Sequence, residues 1–193
     1  MDKEKLIARY RNINVDTDWW DVVYDNFIEY CLDKGIHVEA KEISFSGFWS
    51  QGDGATFSGF VNTKGIHKLV DMKYYPMTAK LIEEGGSVSF VWTPSGHGYN
   101  FPTIGPKMDS FEAVIGDDHP LVEVWDQALD GEYEMLHEFV QEEVNELCSY
   151  LYGKLREEYE YLSSDEAVWE SIETNGLADD GTKSQKRDYV PQL

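Results

Sequence analysis

Between residues 132 and 162, large apolar side chains recur at steps of three and four, a spacing typical of one face of a long α-helix. The spacing holds over eight intervals, through Tyr133, Leu136, Val140, Val144, Leu147, Leu151, Leu155, Tyr159 and Leu162. A helix with such a face is stable only when other elements cover it. The chain must therefore provide a sheet or further helices as a partner for this segment.

The same part of the chain is strongly acidic. Residues 117–173 contain 18 Asp and Glu but only two bases, Lys154 and Arg156, within a chain of net charge −21. Affinity for nucleic acid comes mainly from Lys and Arg, so direct nucleic-acid binding is not expected. Acidity favours a basic protein partner, although it also serves solubility alone. Both interpretations stay open at the level of sequence.

Length and composition favour one compact domain. With 193 residues and 41% hydrophobic content, the chain can bury a core, and we expect residues 1–175 to form a single domain. Residues 176–193 are polar and are predicted to be a flexible tail. No stretch approaches the roughly 18 apolar residues of a membrane span, so we expect a cytoplasmic protein without a membrane partner. Cys31 and Cys148 are too far apart for a metal-ligand motif, and both are predicted to be buried thiols.

The first two thirds of the chain predict an α+β fold: an antiparallel sheet of about four strands with N-terminal helices on one face. Alternating apolar residues indicate the strands, and steps of three and four indicate the helices. The expected elements are a helix at 2–11, a helix opened by Asp16 or Thr17 and ended by Gly35, a hairpin at 38–61, helices within 65–84 broken at Pro76, and strands at 88–92 and 108–115.

The acidic subregion, residues 117–174, is predicted to be helical. We expect a short helix at 119–129 with Pro120 near its start, the long helix at 132–162, and a third helix at 165–174. Because the apolar face of the long helix is core, all of its acids are expected to face away from the core.

Four of these acids form a row. Glu134, Glu138, Glu142 and Glu146 follow one another at intervals of four residues, about 6 Å apart along a helix axis. Each such like-charge pair destabilises a helix by about 0.2–0.5 kcal/mol. The row is predicted to present carboxylates to a basic surface, with exposed Trp169 or Tyr161 as an apolar anchor beside it.

The loop from Trp49 to Gly54 is the second candidate. One interpretation is a structured turn in which Asp53 and Ser50 bond nearby backbone amides while Trp49 packs on the sheet. The other is a recognition tip in which Trp49, Gln51 and Asp53 contact a partner or ligand.

Catalytic and metal motifs are weak in this sequence. Glu134 and His137 have the Glu-x-x-His spacing of di-iron bundles, but a second copy of that motif is missing. Asp117 to His119 at a helix start is explained by capping. His97 lies in a Gly-His-Gly loop that identifies no nucleophile. We therefore predict no catalytic residue, no metal site and no cofactor.

The segment Phe45-Ser46-Gly47-Phe48-Trp49-Ser50-Gln51-Gly52-Asp53-Gly54-Ala55, with Trp19-Trp20-Asp21-Val22-Val23-Tyr24 upstream, resembles a motif of small proteins encoded by bacteriophages and some bacteria. Most of these are of unassigned function, and some are labelled antitoxin-like. The resemblance covers about residues 17–61. It implies a phage or bacterial source, hence a bacterial cytoplasm, and supplies no catalytic residues.

These observations predict a non-catalytic, acidic phage-type protein that binds and inhibits a basic bacterial protein. The partner would be a nucleic-acid-binding enzyme or a toxin, and the protein would act as a counter-defence factor or a nucleic-acid mimic. Mimicry would need a cluster of acidic helices or a homodimer, because one helix is too dilute in charge. Two alternatives stay open: a small enzyme or ligand-binding protein with a pocket near Asp53 and His97, and an antitoxin-like partner of a cognate toxin.

Overall fold

The computed structural model describes residues 2–94 and 101–177, which form an α+β fold. The helices are α1 (Lys3–Arg9), α2 (Asp21–Asp33), α3 (Thr63–Leu69), α4 (Pro76–Glu83), α5 (Phe111–Ile115), α6 (Val122–Leu162) and α7 (Asp165–Thr174). The strands are β1 (Ile36–His37), β2 (Ile43–Phe45), β3 (Ala55–Phe57), β4 (Gly59–Val61), β5 (Val88–Thr93) and β6 (Thr103–Met108).

The predicted antiparallel sheet is confirmed. Four strands pair in the order β1-β4-β5-β6, with every pair antiparallel. Val61 stands opposite Phe90, and both are fully buried. On the opposite face Phe60 stands opposite Val91, and both are exposed. One face of the sheet is therefore core and the other is open.

The hairpin predicted at 38–61 is only partly correct. β2 and β3 pair as expected, with Ile43 opposite Phe57, but they form a separate two-stranded sheet. The chain changes sheets at Ser58, whose amide donates to the carbonyl of Glu42 at 2.9 Å. β4 then joins the larger sheet beside β5.

Helix α2 begins at Asp21, so the predicted start after Asp16 or Thr17 is wrong. In the segment before the helix, Thr17 and Trp19 form a turn, and the amide group of Asn14 donates to the carbonyl of Leu162 and accepts from the hydroxyl of Ser171. The predicted end is confirmed, since Gly35 follows the helix with a φ of +87°, a conformation that favours glycine.

The strand predicted at 108–115 is wrong. β6 ends at Met108, and residues 111–115 form α5. Ser110 caps this helix by accepting from the amide of Ala113, and the Asp126 carboxylate accepts from the amide of Phe111 at 2.6 Å. A five-residue run of alternating apolar residues does not distinguish strand from helix. Here the caps provided by Ser110 and Asp126 favour the helix.

The two helices predicted at 119–129 and 132–162 are one continuous helix, α6, of 41 residues. Residues 130 and 131, which lie between the two predicted helices, are helical, and Gly131 is one of them. A glycine within a helix costs about 1 kcal/mol relative to alanine, which the burial of Leu129 before it offsets. Six residues of the predicted apolar face are buried, and Leu129 and Cys148 join them: Leu129, Leu136, Val140, Val144, Leu147, Cys148, Leu151 and Leu155. The other three predicted members, Tyr133, Tyr159 and Leu162, are half-buried.

The chain divides into two compact units, Met1–Trp19 with Glu157–Leu193, and Trp20–Arg156. In the first, Leu6 and Ile7 of α1 pack with Val168 and Ile172 of α7. The second contains both sheets. The single domain at 1–175 stays a prediction, and the predicted tail at 176–193 lies outside the described residues apart from its first two. None of the described helices is long and apolar enough to cross a membrane.

Three acids of α6 face other elements, so the expectation that all of them point away from the core is wrong. Asp126 binds the start of α5, Glu143 forms an ion pair with Lys34, and Glu132 binds the start of α4. The Glu132 carboxylate accepts from the amides of Met77 and Thr78, at 2.8 and 2.9 Å, and from the Thr78 hydroxyl at 3.1 Å.

Replacing Glu132 with Ala is expected to lower the free energy of unfolding by about 2–3 kcal/mol, because buried hydrogen-bond donors at the start of α4 lose a charged acceptor. Urea unfolding measures the change. Glu134→Ala is the matched control, since Glu134 is exposed on the same helix and its loss should change stability by less than about 0.5 kcal/mol. Equal losses in the two variants would contradict the capping role.

Both cysteines are free and buried, as predicted, and burial raises the pKa of each thiol to about 12. The thiolate is the reactive form, so neither Cys31 nor Cys148 should react with a thiol-specific dye at pH 8 while the protein is folded. Both should react in urea. A fast stoichiometric reaction in buffer would contradict the burial of these thiols.

Candidate partner-binding surface

The predicted acidic row is present on α6. Glu134, Glu138, Glu142 and Glu146 are all exposed, and Leu136, Val140 and Val144 between them are buried in the core. Helix geometry places consecutive members about 6 Å apart along the axis. The row therefore offers four carboxylates to solvent over about 18 Å of a helix whose opposite side is fixed by burial.

In the described ranges, none of these four carboxylates lies within ion-pair distance of a Lys or Arg. By contrast, Glu143 on the same helix forms an ion pair with Lys34. Its hydrogen bond raises the pKa of Lys34, burial of the ammonium opposes that rise, and Glu146 adds to it. Among these neighbouring acids of α6, Glu143 is therefore the one in an intramolecular ion pair, and the four carboxylates of the row are exposed to a partner.

The loop between β2 and β3 is a hydrogen-bonded turn, in agreement with the first of the two interpretations of this segment. The Asp53 carboxylate accepts from the Ser50 amide at 2.6 Å and from the Ser46 hydroxyl at 3.2 Å. The Ser46 hydroxyl in turn accepts from the Gly54 amide at 3.0 Å. Asp53 is therefore used to build the turn, whereas Gln51 is exposed.

Trp49 is 73% exposed, so the expectation that it packs on the sheet is wrong. Its ring meets Phe48 edge to face at 5.8 Å between centroids, and Phe48 itself is buried. Trp49 is also the non-glycine residue with a positive φ, +128°, in the described ranges. Such a conformation is strained for an L-residue and persists where the surroundings enforce it. The hydrogen bonds of Asp53 and the buried Phe48 on either side provide that enforcement.

The structure brings the turn and the row together on one side of α6. Ser149 and Tyr152 border the turn, and the Tyr152 hydroxyl donates to the carbonyl of Gly47 at 3.4 Å. Ser149 follows Glu146 by three residues and Glu142 by seven, so all three share a helix face. The row and the turn with Trp49 form one continuous surface, which we call the acidic face.

Sequence reasoning missed the aromatic residues at the end of the row. Tyr150 follows Glu146 by four residues, and its ring lies 4.9 Å from that of Tyr30, with both residues more than one third exposed. Extending the four-residue spacing by one step would have found Tyr150. The anchors predicted from sequence, Tyr161 and Trp169, belong to the other compact unit.

A small recess of about 150 Å³ lies beside Asp53, bordered by Phe101 and Tyr152. Small-molecule sites usually have about 300–1,000 Å³, so this recess is small for a substrate. His97 lies outside the described residues, and a pocket joining it to Asp53 stays a prediction. His137 contacts the carbonyl of Ile104 at 3.3 Å. Within the described ranges, no group of three or more His, Cys, Asp or Glu is arranged to hold a metal ion.

Comparison with known proteins gives one match. A family model described as a domain of unknown function, DUF8835, matches residues 19–84. No curated protein matches the chain, and no solved structure matches it. The matched segment contains α2, the turn with Trp49, and α4, and it ends before the acidic row.

Replacing Glu138 and Glu142 with Gln removes all three like-charge pairs of the row. We expect the free energy of unfolding to rise by about 1 kcal/mol at low salt, because three repulsions of about 0.2–0.5 kcal/mol are relieved. Urea unfolding measures the gain, which should shrink near 1 M salt, where the Debye length is about 3 Å.

Glu83→Gln with Glu84→Gln is the matched control, because both residues are exposed and carry the same charge change elsewhere. That variant should change stability by less than about 0.5 kcal/mol. A loss of stability in the row variant would show that the row makes favourable contacts within the protein.

Proposed function

We propose that this chain is a non-catalytic protein of phage or bacterial origin that binds a basic bacterial protein through the acidic face and inhibits it. The observation that carries the proposal is the exposed row of four glutamates without intramolecular ion pairs in the described ranges. A neutral partner surface would leave their mutual repulsion in place, whereas a basic surface removes it.

Trp49 supports the proposal as an apolar anchor. Binding energy at protein interfaces is concentrated in a few residues, and Trp is enriched among them. The side chain is presented by a turn that Asp53 holds in shape, so little conformational freedom is lost on binding. The carboxylates would mainly accelerate encounter with the partner, and Trp49 would mainly slow dissociation.

Charge density favours local binding of a basic surface over mimicry of a nucleic acid by α6. The helix carries twelve acids and two bases, a net charge of −10, over about 61 Å. That is one charge per about 6 Å, compared with about 3.4 Å for a single nucleic-acid strand. Three of these acids also face other elements. A partner surface needs four suitably placed Lys or Arg, which nucleic-acid-binding enzymes and many toxins have.

Inhibition follows if the captured surface is the one that grips nucleic acid. A cognate toxin with such a surface would make the protein antitoxin-like, which is a special case of the same contact. An enzyme with Asp53 in its active site is less well supported, because that carboxylate is committed to the Ser50 amide and the Ser46 hydroxyl.

The test is affinity capture from bacterial lysate with the purified protein and with a variant carrying Glu134→Gln, Glu138→Gln, Glu142→Gln and Glu146→Gln. We expect the protein to retain one or more basic proteins, and the variant to lose them. The retained proteins should dissociate as salt rises from about 50 to about 300 mM, because the Debye length shortens from about 14 to about 6 Å and the attraction between the two charged surfaces is increasingly screened.

A matched variant, Asp25→Asn with Glu83→Gln, Glu84→Gln and Asp117→Asn, makes the same change of net charge at exposed positions outside the row. It should retain the captured proteins. Capture that survives in the row variant, or that is lost equally in both variants, would overturn the proposal. Trp49→Ala should weaken capture without changing its dependence on salt.

A further inference from the structure

We propose that the first part of α6 pairs with the same segment of a second copy of this chain, so that the protein forms an antiparallel dimer. The observation behind the proposal is a line of exposed residues without charge along this part of the helix. We call the line the apolar seam, and its members are Leu121, Val124, Ala128, Gly131 and Met135. The inference does not rest on the function proposed above, because none of the four glutamates of the row belongs to the seam.

The members of the apolar seam follow one another at steps of three, four, three and four residues. This is the spacing of positions a and d in a coiled coil, where each side chain packs against a second helix. Leu121 is 47% exposed, Val124 61% and Met135 57%. Leu121 directly precedes α6 and shares its register, because its carbonyl accepts from the Trp125 amide at 3.0 Å. Single exposed apolar residues are normal on a protein surface, whereas a regular line of them indicates a face that binds another helix.

The middle of the apolar seam is flat. Ala128 and Gly131 leave the helix backbone exposed there, while Val124 and Met135 project on either side. Glycine is unfavourable in the interior of a helix. A methyl group added at Gly131 would meet no described atom within 4 Å, so packing within the described chain does not require a glycine at this position. Small residues at the contact of two helices let their axes come closer together, which brings the larger side chains on either side into contact.

A second copy of the chain fits this order of sizes. A closed dimer has a two-fold axis, so its interface must be complementary to itself. Antiparallel pairing about a point between residues 129 and 130 places Ala128 opposite Gly131 of the second copy, and Val124 opposite Met135 of the second copy. Small residues then meet at the centre of the contact, and large apolar residues meet on both sides of it.

Charge favours the antiparallel orientation over the parallel one. Beyond Met135 the same spacing continues at Glu138 and Glu142, which belong to the acidic row. A parallel pair would set each of these carboxylates against the same carboxylate of the second copy, and such juxtaposition of like charges is unfavourable. The antiparallel pair moves the two rows toward opposite ends of the contact, so that they do not face each other.

The size of the seam predicts a weak dimer. The seam extends over about 21 Å of helix. Pairing two copies buries about 1,000 Å² in total, which is the lower limit for a specific interface. The net charge of −21 on each copy opposes association. Salt screens this repulsion and leaves the apolar contact intact, so the dimer should become tighter as salt rises.

The test is sedimentation velocity of the full chain at about 5 to about 500 μM protein and about 50 to about 500 mM salt. We expect a reversible dimer with a Kd below about 100 μM at the highest salt, and a Kd at least about threefold larger at the lowest. A Kd above that limit, or a dimer that does not tighten as salt rises, would overturn the inference. Salt acts in the opposite direction on capture of a basic protein by the row, so failure of one proposal is distinguishable from failure of the other.

One variant locates the contact. Val124→Glu places a carboxylate in the apolar seam and should weaken the dimer at least about tenfold. Val22→Glu is the matched control, because Val22 is a valine of helix α2 that is 66% exposed, and it should change the Kd by less than about twofold. Circular dichroism checks that both variants fold, as expected for exposed positions. Equal dimerisation of the two variants would place the contact elsewhere and overturn the assignment.

A charge exchange tests the antiparallel register. A chain carrying both Val124→Glu and Met135→Lys would set each new carboxylate against a new ammonium of the second copy. Within one copy the two positions are about 16 Å apart along the helix, too far to form an ion pair. The double variant should therefore dimerise at least about threefold more tightly than Val124→Glu alone. A double variant that dimerises no more tightly than Val124→Glu would overturn the antiparallel pairing.

Discussion

Polar side chains of α6 determine where the other elements lie along it. The buried apolar stripe attracts any apolar face, because the hydrophobic effect is not directional. Hydrogen bonds to specific backbone groups are directional. Glu132 binds the start of α4, Asp126 binds the start of α5, and the Gln141 amide binds Pro102 and Ile104 at the start of β6. Each contact satisfies a backbone group that would otherwise be unpaired near the core, so a shift of α6 by one turn would leave several of them unsatisfied.

This use of polar groups sorts the acids of α6 into two classes. Acids next to the apolar stripe reach helix starts or Lys34 and are structural. The four acids of the row, Glu134, Glu138, Glu142 and Glu146, are exposed and form no ion pair in the described ranges. The net charge alone does not distinguish the classes. The exposure of each acid and its hydrogen-bond partners do distinguish them. By these two criteria, the candidate binding surface within the acidic region is one face with four carboxylates.

The sequence predicted what depends on near neighbours. The apolar stripe of α6, the exposed row, the turn around Asp53, the helix end at Gly35 and the break at Pro76 each follow from spacing or from the conformational preference of one residue. These signals lie within a few positions of the structure they determine.

Errors arose where a distant residue decides. α5 is a helix because Asp126, fifteen positions away, binds its first amide, and Asn14, in the segment before α2, bonds to Leu162 and Ser171 about 150 positions away. The meeting of the Trp49 turn with the end of the acidic row depends on Tyr152 reaching Gly47 across 105 positions. No local pattern contains that contact. Each half of the candidate surface was predictable, and their proximity was not.

The acidic face carries two features that destabilise the free protein and would favour a complex. Repulsion within the row amounts to about 1 kcal/mol, and a strained residue such as Trp49 costs about 1–3 kcal/mol. Domains of this size have a free energy of unfolding of about 5–15 kcal/mol, so the fold can tolerate both the repulsion within the row and the strain at Trp49. A basic partner would remove the repulsion, and a pocket for Trp49 would use a side chain already held in position. Because the first effect is electrostatic and the second is not, salt should weaken one and spare the other, so the two contributions to binding are separable by ionic strength alone.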